Sequence, residues 1–202
     1  MSHLATFDAP VLEAGHSTLR WQLEAGIIYN AREVPNLPDA GRLLFAYLVV
    51  TDKAVREYRA GYKRISEHMA TGGDTAAYVE GVGHFENCIN ATKRALRLLT
   101  RLASQPKGPE LDRTARRVAN VWADQVTNVR DAIEHIDNDI VSEAGLPDGS
   151  AHMLTINGNG TQLEIGTHHI TFVALAGTLQ SLFRAGTEIV KALPTPPVAT
   201  DA

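Results

Sequence analysis

Apolar residues recur at steps of three and four along most of the chain, a period typical of helices that bury one face. Clusters of glycine and proline interrupt the repeat and mark the ends of separate elements. The pattern predicts five helices, over residues 8–31, 39–69, 75–104, 110–144 and 172–193. In the first of these, Asp8 is the predicted N-cap and Pro10 lies in the first turn, where both residue types favour helix initiation.

Residues 153–171 show a different pattern, in which apolar and polar residues alternate. Leu154 and Ile156 alternate with polar neighbours before the sequence Asn157-Gly-Asn-Gly160, and the alternation resumes after it. Alternation on both sides of Asn-Gly turn chemistry is typical of a β-hairpin. A hairpin is therefore predicted between the fourth and the last helix.

These elements together predict a single domain over residues 1–193. Its fold class is mainly all-α: an up-and-down bundle of about five helices with one small β-hairpin inserted before the last helix. The proline-rich residues 194–202 are predicted to form a disordered tail.

The predicted helix over residues 110–144 has two chemically different sides. At about 100° per residue, its apolar positions fall within one stripe about 80° wide. The stripe consists of Trp122, Val126, Val129, Ile133, Ile136 and Ile140. The opposite side is polar and consists of Asp124, Asn128, Asp131, His135 and Asn138. Arg130 lies at the shoulder between them, so one face is predicted to be buried in a core and the other is available for chemistry.

Charge and cysteine content limit the partners and the compartment. The net charge of -4 gives no overall attraction for nucleic acid, so a polyanion would need a local basic patch. The lone Cys88 allows no intrachain disulfide, and residues 1–14 lack the residue order of a secretion signal. The apolar run from Leu43 to Val50 is far shorter than the roughly 18 residues of a membrane span. We therefore expect a cytoplasmic protein with no membrane partner.

The other possible metal ligands and the cysteine do not form a recognisable metal site or catalytic site. Three pairs have spacings that suggest metal ligands: Glu13 with His16, Glu80 with His84, and His168 with His169. A di-metal helical centre needs two Glu-x-x-His units, and only the first pair has that spacing. The second pair lacks further ligands, and the adjacent histidines of the third point to opposite faces of a strand. Cys88 lies near an apolar stripe and is predicted to be a buried, inert thiol, so neither a metal nor a cofactor is predicted.

Packing of the helix against a core does not explain why Arg130 and His135 are present. A histidine can move a proton near neutral pH, and an arginine can hold a phosphate through paired donors. RNA supplies its own 2′-hydroxyl nucleophile, so such residues suit phosphodiester cleavage without a metal. However, the two side chains lie about 140° apart around one helix. A shared site requires Arg130 to reach around the helix, or two copies of the helix to face each other across a two-fold axis.

The sequence Arg130-Asp131-Ala-Ile-Glu-His135, late on a long helix, resembles the Arg-polar-x-x-x-His signature of HEPN domains (higher eukaryotes and prokaryotes nucleotide-binding). The resemblance covers the helical part of the chain, residues 75–193. It implies an all-helical domain of four or five helices, a homodimer with the motif helices at its interface, and often metal-independent endoribonuclease activity. HEPN toxins paired with nucleotidyltransferase antitoxins carry a tyrosine two residues after the histidine, whereas this chain has Asp137.

The resemblance implies roles for three catalytic residues. His135 would act as general base or acid, Arg130 would bind the scissile phosphate, and Asp131 would orient one of them. The predicted substrate-binding residues are Asn128, Asn138 and Arg117. Cations would have to offset the carboxylates around the motif. The candidates are Arg113, Arg116 and Arg117, up to five turns earlier, or Lys93, Arg94 and Arg97 on the preceding helix.

Three functions remain open at the level of sequence. The first is a dimeric ribonuclease acting on RNA, as a toxin or defence effector with an antitoxin as a further partner. The second is a bundle that binds a nucleotide or another small ligand in the same polar cleft without chemistry. The third is a helical scaffold whose polar face is solvated or binds a partner protein.

Overall fold

The architecture was analysed in a computed structural model, which describes residues 4–12, 39–104, 117, 123–141 and 151–191. Within these residues the elements are α1 (Asp39–Ala70), α2 (Thr75–Ala103), α3 (Ala123–Val141), β1 (Ala151–Ile156), β2 (Gln162–Gly166), β3 (His168–Thr171) and α4 (Phe172–Lys191). The predicted class, mainly helical with a small β element before the last helix, is confirmed. No helix within the described residues is long and apolar enough to span a membrane.

The break between α1 and α2 follows from a glycine turn and a helix cap. Gly72 and Gly73 adopt φ angles of 74° and 118°, which only glycine adopts without strain. The Asp74 carboxylate then accepts hydrogen bonds from the backbone N–H groups of Ala76 and Ala77, which a helix leaves without intrahelical partners. Both helix bounds are therefore within a residue of those predicted from the sequence.

α1 and α2 pack closely because glycines face the contact. A Cβ atom on Gly81 would lie 2.6 Å from Cδ1 of Ile65, and one on Gly61 would lie 3.0 Å from the carbonyl oxygen of Gly81. Tyr58 and Phe85 fill the space beside this contact with rings 5.6 Å apart in an edge-on arrangement, and both are fully buried. This helix pair forms the centre of the fold, and α4 packs against both helices.

The N-terminal segment differs from the prediction, because residues 4–12 contain no helix. Asp8 does not cap a helix there; its N–H donates to the carbonyl oxygen of Gly160 in the hairpin turn at 3.0 Å. Phe7 packs its ring against Tyr62 and Phe172, and Leu4 and Leu12 are buried. Long-range contacts thus outweigh the local capping signal. The rest of the predicted first helix lies outside the described residues.

The predicted hairpin is present and is extended by a third strand. β1, β2 and β3 form an antiparallel sheet in that order, with Leu163 opposite Ile170. Asn157 stabilises the first turn by accepting from the N–H groups of Thr161 and Gln162 at 3.0 and 3.2 Å. Gly166, with φ of 56°, lets the chain reverse again after β2. The sheet buries one face and packs against α3.

Candidate site on helix α3

α3 is two-sided as predicted, but its burial decreases along the helix. Val126 and Val129 are fully buried, and Ile133 and Ile136 pack at the edge of the core. Ile140 is 50% exposed, so the last turns of the helix extend beyond the core. Trp122, the first residue of the predicted stripe, lies outside the described residues.

Arg130 is held by two carboxylates of its own helix. One guanidinium nitrogen, Nη1, lies 3.1 Å from Oδ1 of Asp131, and Nη2 forms an ion pair with Glu134. The Arg130 side chain is 32% exposed, which places it at the shoulder predicted from the pattern. Its positive charge is therefore compensated within one chain, and a phosphate would have to compete with these carboxylates.

Asp131 thus contacts Arg130, and its predicted role in orienting a catalytic residue stays a prediction. Glu134 is the partner that the sequence analysis missed. The signal was present, because an arginine and a glutamate four residues apart are neighbours on a helix surface.

His135 lies on the exposed polar side of α3, and Asn128 and Asn138 are exposed on the same side. Within the described part of the chain, the imidazole has no hydrogen bond or ion pair. Helix geometry places it about 140° from Arg130 and about 20° from Asn128. One copy of the chain therefore does not direct Arg130 and His135 at a common point.

A contact between α2 and α3 lies on the side of the helix that carries Arg130. Lys93 Nζ of α2 donates a hydrogen bond to Oγ1 of Thr127. Thr127 and Arg130 lie within about 60° of each other around α3 and about one turn apart. The sequence suggested Lys93 only as a charge that could offset carboxylates. The fold places it beside α3.

Arg117 is exposed and helical, but the residues around it lie outside the described ranges. Its predicted contact with substrate stays a prediction. Arg113 and Arg116 also lie outside the described residues, as do Glu13 and His16.

Glu80 and His84, the second of the alternative metal pairs, each have another partner. His84 Nδ1 lies 2.8 Å from Oε2 of Glu57, and Glu80 forms an ion pair with Arg64. His168 and His169 are both exposed on β3. Among the described residues, no group of three or more histidine, cysteine, aspartate or glutamate side chains is arranged to hold a metal ion.

Cys88 is fully buried, which confirms the predicted environment of this thiol. Burial raises its pKa to about 12, so the thiol is protonated at neutral pH and does not act as a nucleophile.

The comparisons with known proteins add no relative from which a function could be transferred. The chain matches no protein-family model, no curated protein and no solved structure. The residues of α3 and their surroundings are therefore the basis for assigning a function.

Proposed function

We propose that the chain is a HEPN-like, metal-independent endoribonuclease that acts as a homodimer, with the α3 helices of two copies facing each other. The observation that carries the proposal is the position of His135 on an exposed polar helix face, without a partner among the described residues. A solvated histidine of this kind becomes part of a site when a second surface covers it. A toxin or defence role in the cytoplasm, with an antitoxin as partner, belongs to the same proposal.

A two-fold axis beside His135 turns the exposed polar side of α3 into one wall of a cleft between two copies. It brings the two imidazoles together, and it places Asn128 and Asn138 of both copies around them. Arg130 lies about 140° from His135 around each helix, so its long side chain reaches around the helix to bind a phosphate in the cleft. The composite site then contains two proton-transfer groups and two cations, whereas one chain contains a separated pair.

Arg130 can exchange its carboxylates for a phosphate at low cost. The side chains of Arg130, Asp131 and Glu134 are 32%, 48% and 43% exposed, and ion pairs in such positions contribute only about 0–1 kcal/mol. Until RNA binds, the same ion pairs reduce the repulsion between the carboxylates of facing helices. The pairing of Arg130 is thus compatible with a later role in phosphate binding.

The chemistry follows from these groups. One His135 takes the proton of the RNA 2′-hydroxyl, whose oxygen attacks the adjacent phosphorus, while Arg130 stabilises the negative charge that develops there. The bond from phosphorus to the 5′-oxygen breaks, and the second His135 donates a proton to that oxygen. The products are a 2′,3′-cyclic phosphate and a 5′-hydroxyl end, and no metal or external oxidant is needed.

RNA cleavage in the presence of EDTA tests the proposal. His135→Ala removes both proton-transfer groups of the dimer and is expected to lower the cleavage rate by about 10²–10⁴-fold. His168→Ala removes an equally exposed histidine from β3 and is the matched control, which should cleave at the wild-type rate. Cleavage by the His135→Ala chain at the rate of the control would refute the proposal.

Binding of a nucleotide without chemistry is the second candidate, and the separation of Arg130 from His135 around one helix favours it. Binding a ligand phosphate through Arg130 does not require His135 at the same atom, whereas catalysis does. This candidate predicts that nucleotides raise the melting temperature while no RNA is cleaved. An unchanged melting temperature across a nucleotide panel would count against it.

A further inference from the structure

The C-terminal half of α2 carries a concentration of positive charge that the overall composition does not suggest. Four cations occur within nine residues, and no acidic residue occurs between Asn87 and Ala103. We call these residues the α2 cation stripe: Lys93, Arg94, Arg97 and Arg101. At about 100° per residue they lie within about 100° of one another, on the side opposite the core. They give a chain of net charge -4 a local basic surface.

The stripe is presented to solvent on a rigid support. Arg94 and Arg97 are exposed, and neither has a carboxylate partner among the described residues. The other side of the same turns is packed into the core through Ala95, Leu96 and Leu99. The positions of the cations are therefore set by the fold of α2.

Stabilisation of the helix end does not account for the stripe. The negative C-terminal end of a helix dipole attracts cations mainly within the last turn, which here contains Arg101. Lys93 and Arg94 lie more than two turns before Ala103, beyond the reach of that effect. No acidic residue of α2 lies among them, so their charge is available to a negatively charged partner.

The stripe adjoins the candidate site. Its Lys93 donates to Thr127 on α3, which lies one turn from Arg130 on the same side of that helix. From Lys93 to Arg101 the stripe spans about 12 Å along α2, which is long enough to contact more than one phosphate of a strand. A strand bound along the stripe would therefore pass close to Arg130.

We propose that the α2 cation stripe binds the sugar–phosphate backbone of RNA and guides the strand to the α3 site. The inference rests on the proposed function for its choice of RNA, and charge complementarity supports it. The stripe contributes affinity without sequence preference, because contacts to phosphate carry no base information.

The test measures binding of a labelled single-stranded RNA to the full chain in the His135→Ala background, so that the RNA is not consumed. The double change Arg94→Gln with Arg97→Gln should weaken binding about tenfold at low salt. It should also lower the slope of log affinity against log salt by about 1.4, since each lost phosphate contact removes about 0.7 for a single strand. Between 50 and 200 mM salt, the parent should thus lose about sevenfold more affinity than the double variant.

The matched control removes two exposed cations elsewhere. Lys53→Gln with Arg184→Gln gives the same net charge and should leave the affinity and the salt slope close to those of the parent. Arg94→Lys with Arg97→Lys should keep most of the affinity, because a phosphate backbone is bound through charge. Circular dichroism checks that each variant retains its helices, which is expected because glutamine and lysine favour helix formation.

The outcomes separate this inference from the proposed function. If the wild-type chain binds RNA through the stripe but does not cleave it, the stripe proposal is supported and the proposed ribonuclease activity is refuted. If cleavage depends on His135 but the stripe variant binds RNA as well as the control does, only the proposal that the stripe binds RNA is overturned. If polyglutamate displaces the labelled RNA as effectively as unlabelled RNA of equal charge, the proposal is also overturned. The partner would then be an acidic protein surface.

Discussion

Among single residues, Gly160 joins the hairpin turn to the N-terminal segment, because its carbonyl oxygen accepts a hydrogen bond from the N–H of Asp8 at 3.0 Å. The Asn157-Gly-Asn-Gly160 turn could be recognised from its residue types, as could the cap at Asp74. The close approach of Gly160 to the N-terminal segment could not be recognised, because Thr6 lies far away in sequence. Glu134 as a partner of Arg130 could have been inferred from helical spacing alone.

Gly160→Ala is expected to destabilise the protein. The residue has a φ of 69°, and a Cβ atom there would lie 1.9 Å from the carbonyl oxygen of Thr6. We expect the free energy of unfolding in urea to fall by more than about 1 kcal/mol. Gly158→Ala in the same turn is the control, since nothing lies within 4 Å of its added Cβ. Equal stability of the two variants would contradict the docking of the N-terminal segment on the hairpin turn.

The thiol of Cys88 should stay unreactive until the chain unfolds. Its pKa is raised by burial to about 12 from an ordinary value of 9.0. The unfolded chain therefore ionises first, and stability linked to this group falls as the pH rises above about 9. A disulfide reagent at pH 8 should label the folded chain slowly and the urea-unfolded chain at once. Rapid labelling of the folded chain would show that the contact between α1 and α2 opens readily.

At the scale of elements, helices defined by long apolar repeats were predictable and short irregular segments were not. α1 and α2 match the predicted bounds because their repeats extend over many turns and a glycine turn separates the two helices. The predicted start of a helix at Asp8 was wrong because tertiary contacts hold this segment in another conformation. The third strand was missed because β3 has only four residues, too few for a clear alternation.

On α3, Glu134→Gln should free Arg130 from one of its two carboxylates. We expect RNA binding to tighten by up to about fivefold, corresponding to about 1 kcal/mol of Coulomb energy at 4 Å in water. Helix stability should change by less than about 0.5 kcal/mol. Asp124→Asn removes the same charge from the same helix without touching Arg130 and is the control. If both variants tighten binding equally, the ion pair with Glu134 does not regulate Arg130.

At the scale of the whole molecule, the surfaces beside the site carry opposite charges. The exposed side of α3 bears Asp124, Glu134 and Asp137, whereas the neighbouring α2 carries the cation stripe. The sequence predicted the polar face of α3, but the link between the two helices through Lys93 became visible only in the fold. The candidate site could therefore be predicted as a set of residues on one helix, and its surroundings required the structure.

Salt should act in opposite directions on the two proposed associations. Pairing of α3 faces brings like carboxylates together, so raising the salt concentration should strengthen the dimer by screening their repulsion. RNA binding should weaken over the same range, because counterion release drives it. Sedimentation and RNA-binding titrations at matched salt concentrations measure both effects. A dimer that weakens with salt would indicate an interface other than the facing α3 helices.

Disulfide trapping at position 135 tests the composite site most directly. Cys88 is fully buried, so in a His135→Cys chain the new thiol is the exposed one among the described residues. Two facing helices with their Cα atoms about 4.4–6.8 Å apart at this position allow a disulfide between copies. Mild oxidation should therefore convert His135→Cys to a covalent dimer much faster than it converts His168→Cys, the control on β3. Equal, slow cross-linking of the two variants would contradict a site shared across a two-fold axis at His135.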